Sequence, residues 1–216
     1  MNLGKTLILG DSYSTFEGNI PDGYDSWYFK APSDHTNVNK AEQTWWYQLF
    51  DGKNGILLRN DSYSGTMICN SVRPEHSVEV SFINRFDKLV KEGFFQKNQV
   101  DTILVFGGTN DSTTDCPIGE NQFGEFKAED LLKVLPACGY LARQISIAAP
   151  DSRICWLINT DLKDEISYGM IKNAEYFNQD YILFKSIDKS WGHPNINGMQ
   201  DILNEIKEHF DIAKHC

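Results

Sequence analysis

Four residues spread along the chain have the chemical types needed to transfer an acyl group. They are Ser12, Gly65, Asn110 and His193. A serine hydroxyl can attack a carbonyl carbon, and an imidazole with a pKa near neutrality can take its proton. A glycine N–H and an asparagine amide can donate hydrogen bonds to the oxygen that becomes negatively charged. The chemistry depends on whether the fold brings the four together.

The first two residues lie in motifs that also have ordinary structural interpretations. Ser12 stands in Gly-Asp-Ser-Tyr-Ser at 10–14, where the Asp and the Ser could simply cap a helix. Gly65 ends Asn-Asp-Ser-Tyr-Ser-Gly at 60–65, which is also typical of an Asx-rich turn leading into a helix. Neither motif by itself favours catalysis over these alternatives.

The other two motifs are equally open when taken singly. Asn110 stands in Gly-Gly-Thr-Asn-Asp at 107–111, where paired glycines would let the backbone pass close to a ligand. The alternative is a strand-to-loop turn in which Asn110 is a cap. His193 stands in Trp-Gly-His-Pro-Asn at 191–195, where Pro194 restricts the backbone and favours a helix start. The alternative is a surface histidine in a loop.

The elements that must position these motifs alternate between strands and helices. Several short runs are apolar at successive positions, as in strands buried on both faces. The predicted strands are residues 6–9, 56–59, 102–106, 153–158 and 181–184. This alternation predicts one α/β domain over residues 1–216, with a flavodoxin-like three-layer α/β/α fold and a five-stranded parallel sheet. Three motifs directly follow predicted strands, and the fourth precedes the last helix. The sheet would therefore bring all four to one rim.

Three segments carry apolar residues at helical spacing. They are residues 82–90, 129–149 and 196–210. Pro136 and Gly139 fall inside the second segment. We expect them to kink this helix or to divide it in two.

Two long segments, 16–43 and 112–127, fit neither the strand nor the helix pattern. Loops this long in a domain are usually functional, and both should lie on the rim that carries the motifs. Beyond Phe16, the first segment contains the aromatic residues Tyr24, Trp27, Tyr28 and Phe29. Their rings could stack on sugars, but for any one of them packing within the protein is the commoner role.

Composition excludes several other classes of protein. The 30 acidic residues outnumber the 20 Lys and Arg, giving a formal charge of -10 that disfavours nucleic-acid binding and favours a neutral or cationic small substrate. No apolar run approaches the roughly 20 residues of a membrane-spanning helix. The start of the chain does not resemble a signal peptide, so we expect a cytoplasmic protein. The five scattered cysteines are predicted to be reduced thiols without metal-type spacing.

Together, the four motifs resemble those of the SGNH (GDSL-like) hydrolases over nearly the whole chain. The sequence at 10–14 is similar to the first block of that family, with Tyr13 where the common pattern has Leu. Gly65 matches the glycine of the second block, and 108–111 matches the Gly-x-Asn-Asp of the third. The segment 193–198, with His-Pro-Asn and then a glycine, matches the fifth.

The resemblance implies a role for each matching residue. Ser12 would be the nucleophile, His193 the base, and the Gly65 N–H and the Asn110 side chain the oxyanion donors. It also implies hydrolysis of esters or thioesters, without a metal or another cofactor.

The sequence departs from the family pattern beside His193. The family usually has Asp-x-x-His, but here Ser190 stands three residues before the histidine, and the nearest acid is Asp188. Three arrangements are open: Asp188 reaches the imidazole through a bulge, a main-chain carbonyl near Ser190 orients it, or nothing does. The third partner of such a triad normally fixes the histidine tautomer. We favour either of the first two, because the other four functional positions are intact.

These observations predict a serine esterase that removes a short acyl group, above all acetyl, from a small or carbohydrate substrate. The absence of a long apolar helix that could act as a lid disfavours a lipase for long chains. The alternative is an SGNH-like binding protein with little or no catalysis, which the missing acid would favour. A phosphate- or flavin-binding module is disfavoured, because it would not account for Asn110 and His193 together.

Overall fold

A sheet of five parallel strands forms the centre of the protein, whose computed structural model describes residues 2–51, 54–71 and 73–212. The strands are β1 (Lys5–Gly10), β2 (Ile56–Ser62), β3 (Thr102–Phe106), β4 (Arg153–Ile158) and β5 (Asp180–Leu183). They lie side by side in the order β2-β1-β3-β4-β5. This is the flavodoxin-like doubly wound order, so the predicted fold class is confirmed.

The five predicted strands are all present. Strands β3 and β4 have the predicted bounds, and β1 is one residue longer at each end. Strand β2 continues through Ser62, so Asn60 and Asp61 belong to the strand and not to the turn that we expected there. Strand β5 begins and ends one residue earlier than predicted.

Helices cover both faces of the sheet. The described residues form α1 (Trp45–Phe50), α2 (Phe82–Lys91), α3 (Phe94–Lys97), α4 (Thr109–Thr113), α5 (Val134–Ala148), α6 (Asp164–Tyr176) and α7 (Ile196–Ile212). Single 3₁₀ turns occur at Ser12–Ser14, Ala41–Gln43, Val78–Val80 and Asp130–Leu132. A short antiparallel hairpin, β6 (Lys189–Ser190) and β7 (His193–Pro194), precedes α7.

Alternation along β1 shows how the two faces are built. Leu7 and Leu9 pack in the cluster that contains the buried sides of α2, α5 and α6. Ile8 points the other way, into the cluster that contains α1 and α7. All three side chains are completely buried. The strand is therefore apolar at successive positions because each face of the sheet has its own core.

The segment 129–149 is divided in two, but at Lys133 and not at Pro136 or Gly139: the extended backbone of Lys133 separates the 3₁₀ turn Asp130–Leu132 from α5. Helix α5 runs without interruption and begins at Val134, which puts Pro136 in its first turn. The missing N–H of proline has no intrahelical acceptor there in any case, so the helix tolerates it. Gly139 lies where the carbonyl oxygen of Gln122 packs closely against the helix.

Helix α6 is absent from our sequence-based predictions. Its buried face includes Gly169 and Asn173 beside Ile166 and Met170, so the apolar spacing is interrupted. Gly169 lies against the side chain of Leu135, which leaves no room for a Cβ. The helix depends on packing against α5 more than on a continuous apolar stripe.

Four cysteines are buried free thiols, namely Cys69, Cys116, Cys138 and Cys155. The Sγ atoms of Cys69 and Cys116 lie 3.1 Å apart. Cys216, the fifth cysteine of the sequence, lies outside the described residues. No helix in the described part of the chain is long and apolar enough to cross a membrane.

Candidate active site

The carboxyl ends of three neighbouring strands bring the first three motifs together. In the sheet register, Gly10 of β1 lies beside Ser62 of β2 and beside Phe106 of β3. The segments with Ser12, Gly65 and Asn110 leave the sheet from these three positions. In a doubly wound sheet, this is the switch point at which ligands bind.

Ser12 begins a 3₁₀ turn, and its neighbour Asp11 caps that turn. The carboxylate of Asp11 accepts a hydrogen bond from the Tyr13 N–H at 3.1 Å. The capping interpretation is thus correct for Asp11, and it leaves the Ser12 hydroxyl free to point elsewhere. That hydroxyl lies 3.0 Å from Nε2 of His193, although 181 positions separate the two residues.

A backbone carbonyl fixes the protonation pattern of the imidazole. Nδ1 of His193 lies 3.2 Å from the carbonyl oxygen of Trp191. Because a carbonyl oxygen can only accept, Nδ1 must carry the proton in the neutral ring, and Nε2 is left as an acceptor for the Ser12 hydroxyl. A general base next to a nucleophile needs this tautomer.

The hairpin turn before His193 has an uncommon backbone conformation. Trp191 and Gly192 both have positive φ, 51° and 75°. Two-residue turns of this kind suit the twist of a hairpin but normally use Asn-Gly, and a tryptophan there is strained. The turn brings the Trp191 carbonyl next to the imidazole. The Tyr13 hydroxyl holds the turn in place by donating a hydrogen bond to the Gly192 carbonyl at 2.6 Å.

Asp188 does not supply the missing acid. Its carboxylate accepts a hydrogen bond from the Asn197 side chain at 3.1 Å, and it is exposed. Hydrogen bonds from Asn195 and Asn197 lower the pKa of Asp188. Of the three arrangements considered for His193, the structure has the main-chain carbonyl, contributed by the residue after Ser190.

An aromatic ring covers one face of the imidazole. The indole of Trp27 stacks on His193 with ring centroids 3.6 Å apart and planes within 9°. Burial lowers the pKa of His193 to about 4, while the Trp191 carbonyl raises it, and the charges of Lys189 and Arg73 lower it. The base is therefore neutral over most of the pH range in which proteins are stable.

The two candidate oxyanion donors are joined through Thr66. The Asn110 side-chain amide donates to the Thr66 carbonyl at 2.9 Å, directly beyond Gly65. Gly65 has φ 77°, and a Cβ there would lie 2.5 Å from Nε2 of His76. The left-handed backbone favours glycine, and any larger residue would also require the His76 ring to move. Among the described residues, no oxygen accepts a hydrogen bond from the N–H of Ser12 or of Gly65.

Two buried charged residues, to which the sequence alone assigned no role, hold these segments. Asp111 accepts hydrogen bonds from the backbone N–H groups of Ile68 and Cys69 at 2.9 to 3.1 Å. Arg85 of α2 donates to the carbonyls of Asp61 and Gly10. An arginine in an apolar helix face gives no sequence signal of this role, because it is usually a surface residue.

Most of these four aromatic residues in segment 16–43 pack against other parts of the protein, which is the commoner of the two roles considered for them. Tyr28 is completely buried, and Trp27 covers His193. Tyr24 stacks on Tyr63 with ring centroids 4.8 Å apart. Phe29 is 45% exposed, whereas Tyr24 and Trp27 are partly buried.

The candidate site does not coincide with the cavity beside α1. A cavity of about 450 Å³ lined by Trp46, Tyr47 and Phe50 contains none of the four candidate residues. In the part of the chain that the structure describes, no group of three or more His, Cys, Asp or Glu side chains is placed to hold a metal ion. The arrangement of Ser12, His193 and the free N–H groups is suited to acyl transfer.

Known proteins with similar sequences share this fold over almost the whole chain. The family model for GDSL-like lipase/acylhydrolase matches residues 4–210. A protein of Bacteroides ovatus ATCC 8483, described as a GDSL-like lipase, is 36% identical, with a TM-score of 0.88 over 98% of this chain and 99% of that chain. A protein of Bacteroides uniformis ATCC 8492 with the same description is also 36% identical, with a TM-score of 0.86 over 95% of this chain and 94% of that chain.

A more distant structure is similar in fold alone. An acetyl xylan esterase from the rumen bacterium Butyrivibrio proteoclasticus is 18% identical and has a TM-score of 0.59, with 100% of this chain and 65% of that chain covered. No curated protein matches the chain.

Proposed function

The chain belongs to the GDSL-like lipase/acylhydrolase family, and we propose that it is a serine esterase that removes short acyl groups, above all acetyl, from a small or carbohydrate substrate. The observation that carries the proposal is the 3.0 Å contact between the Ser12 hydroxyl and Nε2 of His193, with Nδ1 held by a carbonyl. The distance is suitable for proton transfer, and in this tautomer Nε2 is the unprotonated nitrogen that can accept the proton.

The reaction begins with attack by Ser12. Nε2 of His193 takes the hydroxyl proton while Oγ bonds to the ester carbonyl carbon, and the carbonyl oxygen becomes an oxyanion. The N–H groups of Ser12 and Gly65 and the Asn110 amide donate hydrogen bonds to this oxygen. Because the two backbone donors have no other acceptor among the described residues, they need not break a bond to do so.

Collapse of the intermediate releases the alcohol and leaves an acyl-enzyme. The leaving oxygen takes the proton from the imidazolium of His193, which becomes neutral again. His193 then takes a proton from water, whose oxygen attacks the acyl carbon. The bond from the acyl carbon to Oγ of Ser12 breaks, Oγ takes this proton from His193, and the carboxylic acid leaves. The positive charge of the intermediate imidazolium has no carboxylate beside it in this site.

A carbohydrate carrier is favoured by one exposed ring beside the base. Trp191 is 71% exposed and immediately precedes Gly192 and His193. An exposed indole offers a flat apolar face on which a sugar ring can pack. The protein of similar fold from Butyrivibrio proteoclasticus, which is described as an acetyl xylan esterase, supports the same substrate class.

Hydrolysis of p-nitrophenyl acetate by wild type, Ser12→Ala and His193→Ala tests the proposal. We expect both variants to lose about four to six orders of magnitude in kcat. The matched control is Ser14→Ala, in the same turn, whose hydroxyl has no partner among the described residues. A panel of esters from acetate to decanoate, with acetylated xylan beside it, then measures acyl length and carrier.

A binding protein without catalysis is the second candidate, because no carboxylate orients His193. Labelling with a fluorophosphonate separates the two, since only an activated serine reacts. Labelling of wild type but not of Ser12→Ala supports the esterase. An unlabelled wild type that still binds acetylated sugars supports the binding protein.

A further inference from the structure

Segment 16–43 contacts the region around His193 at three nearby positions. Trp27 stacks on His193, and the Tyr28 hydroxyl donates to the Pro194 carbonyl at 2.8 Å. The Asn37 side chain accepts a hydrogen bond from the N–H of Ile196, the first residue of α7, at 2.9 Å.

The backbone of Trp27 is also tied to the candidate nucleophile. The Thr15 hydroxyl, which is completely buried, donates to the Ser12 carbonyl at 2.9 Å. The hydroxyl oxygen of Thr15 also accepts a hydrogen bond from the Trp27 N–H at 2.9 Å. A change in the position of Ser12 would therefore be transmitted to the ring that covers His193.

The indole is held for its flat face and not for its N–H group. That N–H is buried and has no acceptor in the described part of the chain. A buried donor without a partner is unfavourable and uncommon in proteins. The indole nevertheless lies within 9° of parallel to the imidazole. The ring thus adopts the stacked orientation although its N–H group is left without an acceptor.

The third residue of a serine triad orients the imidazole and stabilises the imidazolium. The Trp191 carbonyl fixes the tautomer, but it carries no net charge. The face of an indole attracts a cation through its quadrupole. Stacking also restricts the ring to one plane. The Trp191 carbonyl and the Trp27 indole, both neutral, would together perform the two functions of the triad carboxylate.

Resting on the proposed esterase function, we propose that Trp27 is a positioning residue that, with the Trp191 carbonyl, replaces the acid absent from position 190. It holds the plane of His193, excludes water from one face, and stabilises the imidazolium during turnover. On this basis, segment 16–43 contributes to the positioning of the catalytic base and does not bind the sugar.

The experiment measures kcat and KM for p-nitrophenyl acetate in a series at position 27. Trp27→Phe retains an aromatic face, Trp27→Leu retains apolar bulk without one, and Trp27→Ala removes both. We expect Trp27→Leu and Trp27→Ala to lower kcat roughly 10-fold at constant KM, within the range of a cation–π contact. Trp27→Phe should stay within about 3-fold of wild type, because its ring keeps most of that attraction.

The matched control is Phe29→Leu, in the same segment, where an exposed ring is replaced. It should leave kcat unchanged. If Trp27→Leu matches wild type, or if Trp27→Phe loses as much as Trp27→Leu, the proposal is overturned. Circular dichroism and melting temperature show which variants are folded, and Trp27→Leu decides the question if Trp27→Ala does not fold.

A second measurement does not depend on turnover. The NMR titration of the His193 ring should give a lower pKa in Trp27→Leu than in Trp27→Phe. Both variants keep the imidazole covered, but only Phe retains the aromatic face that attracts the imidazolium. Lys189 and Arg73, the charged groups that act on this ring, are the same in both proteins. Equal pKa values of His193 in these two variants would refute the positioning role even if no ester substrate is found, whereas a wild type without esterase activity would refute only the proposed function.

Discussion

Ser190 and His193 lie directly opposite each other across the β6–β7 hairpin. The position that holds an acid in similar hydrolases is therefore the cross-strand neighbour of the proposed base. The Cβ atoms of such neighbours are about 4.5 to 5.5 Å apart. A carboxylate at position 190 would act on the imidazole by its charge without replacing the Trp191 carbonyl.

Ser190→Asp should move the acid limb of the kcat/KM profile to higher pH. A nearby negative charge favours the imidazolium and so raises the pKa of His193. The plateau should change less than about 10-fold, since Nδ1 already has an acceptor. Ser190→Asn, without the charge, is the control. A 100-fold higher plateau in Ser190→Asp would mean that the wild-type base is poorly oriented.

The wild-type enzyme should remain active in mildly acidic solution. The pKa of His193 is lowered to about 4 because burial disfavours the charged ring. A base works only when it is neutral, so kcat/KM should rise with pH around this value and be flat above about pH 5.5. A midpoint near 6.5, that of an unperturbed histidine, would contradict the burial of the ring.

Asn110→Ala should lower kcat about 10²- to 10³-fold with little effect on KM. This is the usual effect of removing one oxyanion donor, because the bond strengthens only as the negative charge develops. The Thr66 carbonyl would also lose its donor, so the melting temperature is the necessary companion measurement. Equal losses in kcat/KM and kcat would identify a transition-state contact, whereas a rise in KM alone would indicate ground-state binding.

Asp11→Asn should become more stable relative to wild type as the pH rises. Burial raises the pKa of Asp11 to about 7, against 3.8 for an ordinary aspartate. Between these values, the native state holds a proton that the unfolded state releases, so the stability from this group is lost as pH rises toward and through 7. The difference in melting temperature between variant and wild type should increase from pH 5 to pH 8. A constant difference would show that Asp11 is ionised throughout.

The sheet could be predicted from the sequence because its strands are buried on both faces. Runs such as residues 102–106 and 153–158 are apolar at successive positions, and they match β3 and β4 residue for residue. Helix α6 could not be predicted in the same way, since Gly169 and Asn173 occupy its buried face. Pro136 gave a wrong prediction because the first residue of α5 could not be located to within one turn.

The candidate site could be predicted only in part, for a physical reason. Ser12, Gly65 and Asn110 leave the sheet at neighbouring strand ends, and topology alone brings such positions together. The orienting carbonyl of Trp191 depends on a left-handed turn, which its residue types do not favour. The stacking of Trp27 depends on the path of a loop without regular structure. Backbone groups and loop contacts leave no side-chain signature in a sequence.

The contacts that complete the site join residues from opposite ends of the chain. Ser12 and His193 are separated by 181 positions, and Tyr13 and Gly192 by 179. Contacts between such distant positions form late, since closing a long loop is entropically unfavourable. Much of the sheet could therefore assemble before the hairpin docks and Ser12 meets its base. During refolding, the return of ester hydrolysis should lag behind the return of secondary structure. Enzyme activity would then report the final docking step of folding.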